Sequence, residues 1–387
     1  MAKTAKRLDG IGEYYFSQKL REIEMLNKQG RNVINLGIGS PDQPPHPDVI
    51  RVLQEQAALP QVHAYQGYKG VAALRHAIAQ WYDRWYQVTV DPDTEVLPLI
   101  GSKEGIMHIC MTYLNEGDTA LVPDPGYPTY TAAVKLSGAQ VLKYTLKETN
   151  NWYPDFEELE RLVQDNTKLL FVNYPHMPTG QLPSKKVFEQ LIAFARRQGL
   201  LIVHDNPYSF ILNDHPMSLL SLPGAKDVVL ELNSLSKSHN MAGWRVGMLV
   251  SNKQCIEEVL RFKSNMDSGM FLPVQLAAAK ALSLEASWYE TVNATYKERR
   301  TMAFALLDKL NCIYSTDQVG MFLWAKVPPS YADGYALSDQ VLATAAVFIT
   351  PGGIFGDAGK GFVRVSLCSP VEKFQESMDR LEKINKG

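Results

Sequence analysis

A chain of 387 residues with 45% apolar residues, 21% charged residues and a net charge of −2 is too long for one core and too balanced in composition for disorder. It lacks the basic excess of a nucleic-acid binder, and no apolar run is long enough for a signal peptide or a bilayer span, so neither nucleic acid nor membrane is an expected partner. Four cysteines, Cys110, Cys255, Cys312 and Cys368, lie far apart without CxxC or Cys/His spacing; they read as free thiols in a reducing compartment, with the cytoplasm as the expected location.

The opening 45 residues predict a helix over EYYFSQKLREIEMLNKQ, then the Gly/Pro-rich extended passage NLGIGSPDQPPHP. From TEVLPLIGS onward, short apolar runs bounded by turn residues predict strands: DTALVPD, AQVLKYTL, KLLFVNYP, LLIVHDN, DVVLELNSLS and WRVGMLVSN. Helical patterns lie between several of them, including KEGIMHICMTYLN and SKKVFEQLIAFARRQ. Ser184 is the expected N-cap of the second and Gly199 its stop. This alternation predicts an α/β fold with a mainly parallel sheet. Beyond about residue 280 a long helix over ASWYETVNATYKERRTMAFALLDKL is expected. Strands MFLWAKV, VFITPG and FVRVSLC and a closing helix EKFQESMDRLEKINK follow. The chain thus divides into a large domain, 46–280, and a small α+β domain built from both termini, 1–45 and 281–387.

Ligands of open α/β sheets sit beyond the carboxyl ends of the strands, and the unusual residues fall there. The strand ends lead to Gly101-Ser102-Lys103, to Pro125-Gly126-Tyr127-Pro128, to His176-Met177-Pro178-Thr179-Gly180, to Asp205 and Tyr208, and to Lys237. Within SLSKSHNMAGWRVG, Lys237 sits in a Ser/Gly-rich turn. A lysine with a depressed pKa forms Schiff bases, and Ser234, Ser236 and Arg245 can hold a phosphate. The turn therefore reads either as a polar surface loop or as a pyridoxal-phosphate anchor. The other strand ends favour the anchor. A carboxylate beside the cofactor's ring nitrogen keeps it protonated, and Asp205 is the candidate. Ser102 and Lys103 open a helix that suits a phosphate. Tyr127 can cover the ring, and Tyr208 can donate to its phenolate oxygen.

The motifs GIGSPD, YQGYKGVAALR, PLIGSKEGI, VPDPGYPTY, NYPHMPTG, HDNPYS, NSLSKSHNMAGWRVG and FVRVSLC resemble, in order and spacing, the fold type I pyridoxal-phosphate aminotransferases of the class I/II family. The likeness runs nearly end to end. It implies that Lys237 is the Schiff-base lysine and proton shuttle, with Asp205 on the ring nitrogen, Tyr208 on the phenolate oxygen and Tyr127 on the ring face. It implies that Ser102, Lys103, Ser234, Ser236 and Arg245 hold the phosphate. Tyr65, in AYQGYKG, matches a tyrosine that reaches the neighbouring subunit's phosphate, which implies a homodimer with shared sites. Arg364 matches the arginine that grips the substrate α-carboxylate, and Gly39 lets the backbone close over the substrate. The implied substrates are an L-amino acid and a 2-oxo acid such as 2-oxoglutarate. The run from DPDTEVLPLIGSKEGI to KSNMDSG is most similar to LL-diaminopimelate aminotransferases.

One position departs from the family pattern. Before Pro-Thr-Gly the family has an asparagine that donates to the phenolate oxygen, whereas this chain has Met177, whose thioether cannot donate. His176 and Asn173 are the nearby groups positioned to compensate.

A carbon–sulfur β-lyase or a decarboxylase uses the same scaffold with the same Lys237, Asp205 and Arg364. A non-catalytic aminotransferase-like module of a regulator would need a DNA-binding segment that the composition does not supply. GxxxxGK[ST] and GxSxG are absent, and GIGSPD lacks the third glycine of GxGxxG. The eight histidines show no ligand spacing, so no metal is expected.

Overall fold

The computed structural model describes residues 2–13 and 15–385; Tyr14 and Lys386, which belong to the expected first and last helices, lie outside the described residues. The seven-stranded sheet has the order Val96–Leu99, Gly247–Val250, Val229–Ser234, Leu201–Asp205, Thr167–Val172, Thr119–Asp124 and Gln140–Thr145. Five neighbouring strands run parallel, and Gly247–Val250 runs against both of its neighbours. This is an α/β fold of type I character with a mainly parallel mixed sheet. Each strand expected from the apolar runs forms.

Both faces of this sheet are covered, which is why its strands read as continuous apolar runs rather than alternating ones. Leu170, Val172 and Ile202 enter one core, with Val187, Phe188, Leu191 and Ala195 of the helix Lys185–Gln198. Their neighbours Leu169, Phe171 and Val203 point the other way, into a core with Ile106, Ile109 and Cys110 of the helix Ser102–Tyr113. Each fully buried Leu, Ile or Phe contributes roughly 1.5–3 kcal/mol of transfer free energy. The caps of Lys185–Gln198 follow the sequence: Ser184 accepts from the Val187 N–H, and Gly199 closes the helix at φ +67°.

Beyond this sheet, Phe322–Lys326 and Thr350–Pro351 flank Phe362–Ser366 in an antiparallel three-stranded sheet. Ile34–Asn35 pairs in parallel with Val347–Phe348. The stretch read as one strand, VFITPG, is therefore two short strands with different partners. A single core joins Phe16, Ile34 and Leu36 to Leu306, Leu307, Leu323, Val363 and Phe374, so the two ends of the chain fold onto each other. The helix Leu272–Leu282, in which residue 280 falls, packs on Pro47–Ala57 and Ala72–Tyr86. Among the described residues no helix is long and apolar enough to cross a membrane.

Candidate active site

A cavity of about 420 Å³ opens at the carboxyl ends of the parallel strands. Leu201–Asp205 ends on Asp205, and Val229–Ser234 ends on the residue that caps the single turn Leu235–Ser238 carrying Lys237. Arg364 arrives from the central strand of the C-terminal sheet and Gly39 from the segment after Ile34–Asn35. Of the residues given a cofactor or substrate role from the sequence, all but one line this one cavity: Gly39, Ser102, Lys103, Tyr127, Asp205, Tyr208, Ser234, Ser236, Lys237, Arg245 and Arg364. Tyr65 does not; it stands 93% exposed on the surface.

One end of the cavity is built for an anion. The helix Ser102–Tyr113 presents its N-terminus there, with Lys103 in its first turn. Gly101, at φ +84°, makes room for the guanidinium: a Cβ at that position would lie 2.1 Å from Arg245 Nη2. Arg245 Nη1 donates to the Ala242 carbonyl at 2.9 Å and reaches Ser236 Oγ at 3.4 Å. Ser234 Oγ accepts the Ser236 N–H at 3.1 Å. Burial and the Arg245 charge push the Lys103 amine below its ordinary range. Two cations held this close together favour an anion between them.

At the other end of the strand row, Asp205 is buried and its two oxygens differ. Oδ2 accepts from the Tyr130 hydroxyl at 2.8 Å, whereas Oδ1 has no hydrogen bond. Burial pushes this carboxyl up to about 6, opposed by the Tyr130 hydrogen bond and by the His204 and Lys237 charges. Tyr130 is stacked on Phe171 with ring centroids 5.1 Å apart. Burial, then the Asp205 charge, holds its phenol far above the usual range, so it remains a donor. Tyr130 was not legible as a site residue, because its tie to Asp205 depends on where two separate strands end. Burial likewise raises Tyr208, which keeps its proton.

Lys237 is half-buried, and desolvation of its amine pushes it below the ordinary lysine range. The Arg364 and Arg245 charges lower it further, while Cys368 and Asp205 oppose them. A lowered amine pKa is what Schiff-base chemistry asks of a lysine. Its Nζ donates to the Gly39 carbonyl at 2.5 Å. Gly39 itself is packed under Phe322, whose ring would lie 2.2 Å from an added Cβ.

Arg364 sits among three phenylalanine rings, its guanidinium carbon 3.9 Å from the centroid of Phe322, 4.7 Å from Phe355 and 5.5 Å from Phe16. Nη2 donates to the Gly37 carbonyl at 2.7 Å, and Nη1 meets Met177 Sδ at 3.4 Å. The three rings come from distant segments, and no spacing along the chain identifies them.

Of the two neighbours of Met177, His176 stands outside the cavity and Asn173 is held by other contacts. Asn173 lines the cavity, but its oxygen accepts the Met177 N–H at 2.8 Å and its amide donates to the Asp205 carbonyl at 2.6 Å. His176 bonds Thr179 at 2.8 Å, is absent from the cavity lining, and is driven down to about 3 by burial.

An amine of lowered pKa, an unpaired buried carboxylate oxygen, an aromatic wall and a cationic helix end fit pyridoxal phosphate, a cofactor with an aldehyde, a ring nitrogen and a phosphate. The sequence pattern of the family described as aminotransferase class I and II matches residues 31–381. The chain belongs to this family. It is 38% identical over 382 residues to an LL-diaminopimelate aminotransferase of Halothermothrix orenii, covering 98% of each protein. A second LL-diaminopimelate aminotransferase, from Dehalococcoides mccartyi, is 38% identical over the full length of both. Among solved structures, apo-BacF of Bacillus subtilis superposes with a TM-score of 0.95 at 36% identity, over 100% of this chain and 99% of that one. The protein is a pyridoxal-phosphate-dependent aminotransferase acting on an amino acid and a 2-oxo acid.

A pH signature follows from Asp205 in protein freed of cofactor. Between the ordinary value of 3.8 and about 6, the folded protein keeps a proton that the unfolded chain has lost. The stability contributed by this group is therefore full below pH 3.8, falls as pH rises through that window, and is flat above it. Thermal unfolding of Asp205→Asn should lack this fall, which is on the order of 3 kcal/mol. In Tyr130→Phe the fall should extend to higher pH. A wild-type profile that matches Asp205→Asn would show that Asp205 titrates normally.

Proposed function

We propose that the chain removes the α-amino group of an L-amino acid held by Arg364 and passes it to a 2-oxo acid such as 2-oxoglutarate, with LL-diaminopimelate as a donor. The observation that carries this reading is the convergence of Lys237, Asp205 and Arg364 in one cavity. The names of the curated relatives support the donor. The lowered amine of Lys237 supports its role as cofactor anchor and as the base that takes and returns the α-proton. Asp205, through Oδ1, would hold the ring nitrogen protonated, and Tyr127 would cover the ring. Tyr208 would donate to the phenolate oxygen. Ser102, Lys103, Ser234, Ser236 and Arg245 would take the phosphate. When bound, pyridoxal phosphate supplies the electron sink for the bond broken at the α-carbon. Arg364 orients the substrate by a two-bond grip on its α-carboxylate. Its phenylalanine surround keeps water away and strengthens that grip.

A homodimer with shared sites belongs to the same reading. Tyr65, Tyr68, Met266 and Phe271 are exposed, and the backbone of Gly67 lies against Gly269, so these side chains form a patch suited to a second copy. Tyr65 would then reach the partner's phosphate, and Tyr65→Phe should weaken cofactor affinity several-fold in equilibrium titration while the dimer persists in sedimentation. The domain division at residues 46 and 280 is supported by the pairing of Ile34–Asn35 with Val347–Phe348. Four buried, unbonded cysteines support a cytoplasmic location.

A panel of amino donors with 2-oxoglutarate, read by glutamate formation, tests the reaction. LL-diaminopimelate should be a productive donor. Lys237→Ala should abolish turnover and Arg364→Ala should raise KM for every donor, since all share the α-carboxylate. Release of ammonia and pyruvate from cysteine conjugates, without glutamate formation, would point to the lyase instead.

Met177 gives a spectroscopic test. Asparagine at this position could accept from Arg364 through its oxygen and donate to the phenolate oxygen through its amide, which favours the deprotonated cofactor. Titrating the visible absorbance of the bound cofactor should give a pKa in Met177→Asn lower than in the native protein by about one pH unit, the equivalent of a hydrogen bond worth about 1.4 kcal/mol. A higher value in the variant would sink the argument.

A further inference from the structure

One turn behind the anion-facing end of the helix Ser102–Tyr113 lies a buried polar cluster that the chemistry above does not use. Glu104 and His108 face the same way on that helix, and Asp267 comes from the loop after the helix Lys253–Lys263. One donor atom from each lies within 4.8 Å of the other two. Each carboxylate accepts its backbone and lysine hydrogen bonds with one oxygen only. Glu104 Oε2 accepts the Ile100 N–H at 2.5 Å, and Asp267 Oδ1 accepts from Lys263 Nζ at 2.6 Å and from the Gly269 N–H at 3.0 Å. The second oxygens, Glu104 Oε1 and Asp267 Oδ2, are buried without a hydrogen bond. So are both ring nitrogens of His108, a side chain only 1% exposed. His108 Nε2 stands 2.8 Å from Glu104 Oε1 without the alignment of a hydrogen bond.

We propose that Glu104, His108 and Asp267 bind a divalent transition-metal ion of the zinc or cobalt class. One imidazole nitrogen and two carboxylate oxygens form a donor set that such ions accept, with water completing the shell. Two carboxylates against the single ammonium of Lys263 leave one negative charge for a cation to neutralise. Ligand bonds of about 2.1 Å at tetrahedral angles place donors about 3.4 Å apart, so the widest separation has to close by up to about 1.4 Å. Lys263 also donates to the Tyr68 carbonyl at 3.3 Å. The ion would thereby brace the helix that faces the phosphate against the segment that carries Tyr65. Histidine spacing alone, on which the expectation of no metal rested, misses this site because two of its three ligands are carboxylates and one lies on a distant loop.

The test uses the intact holoenzyme, treated with a chelator, dialysed and titrated with Co²⁺. The expected result is saturation at one ion per chain by calorimetry and elemental analysis, with micromolar affinity. His108→Phe, which keeps a ring against Phe262, and Asp267→Asn should each weaken Co²⁺ binding at least tenfold with the cofactor absorbance retained. If His108→Phe fails to fold, Asp267→Asn decides alone. Absence of saturable binding to the native protein overturns the proposal. So does unchanged affinity in Asp267→Asn, which would assign the ion to the cofactor or to the surface.

Discussion

A carboxylate buried with one oxygen unpaired is unfavourable by roughly 1–3 kcal/mol, and by more when it is charged. Asp205 is buried in this way, and much of the surrounding structure answers to it. The Tyr130 hydroxyl fixes one oxygen and so aims the other. Asn173 holds the Asp205 carbonyl, which orients the residue from the backbone side. The parallel strands bring the carboxylate level with the turn that carries Lys237. A protonated ring nitrogen is a partner that turns this unfavourable burial into a strong charge-assisted contact. The same dryness that raises the Asp205 carboxyl lowers the Lys237 amine. One buried environment therefore prepares both groups, each in the direction its task requires.

The cations of the cavity are sorted by what surrounds them. Arg245 and Lys103 flank a helix N-terminus, where fixed backbone dipoles add to their charge. Arg364 has aromatic faces around it and Met177 at one nitrogen, so its surroundings are apolar. The first environment suits a dianion anchored once and kept. The second suits a carboxylate that arrives with each substrate and leaves with each product. A polar asparagine in place of Met177 would give Arg364 a hydrogen-bonding neighbour where the methionine keeps its surroundings apolar.

Most of the fold was legible because a sheet covered on both faces needs continuous apolar strands, and each such run ends in turn residues that carry the chemistry. Lys237, Asp205 and Ser102 were singled out by that rule, Arg245 by its place in the same turn as Lys237, and the family motifs added Arg364 and Gly39. Three kinds of feature escaped it. Tyr130, on the helix Pro128–Leu136, acts through a hydrogen bond to a strand end 75 residues away that sequence spacing does not encode. Phe16, Phe322 and Phe355 come together only when both ends of the chain share a core. VFITPG has the composition of one strand, yet its residues pair with two partners on either side of Ile349. In each case the deciding contact is between segments far apart in the chain.

The short backbone segment from Gly37 to Gly39 holds both reacting ends of the site at once. The Gly37 carbonyl accepts from Arg364, and the Gly39 carbonyl accepts from Lys237. Both are neutral acceptors, and a carboxylate forms hydrogen bonds roughly twice as strong. Anionic ligands can thus displace this segment from Arg364, whereas amides and esters compete with it on equal terms and gain little. If Arg364 grips the substrate carboxylate as proposed, one main-chain oxygen, that of Gly37, would set the threshold by which free amino acids are told from amino-acid residues of a peptide.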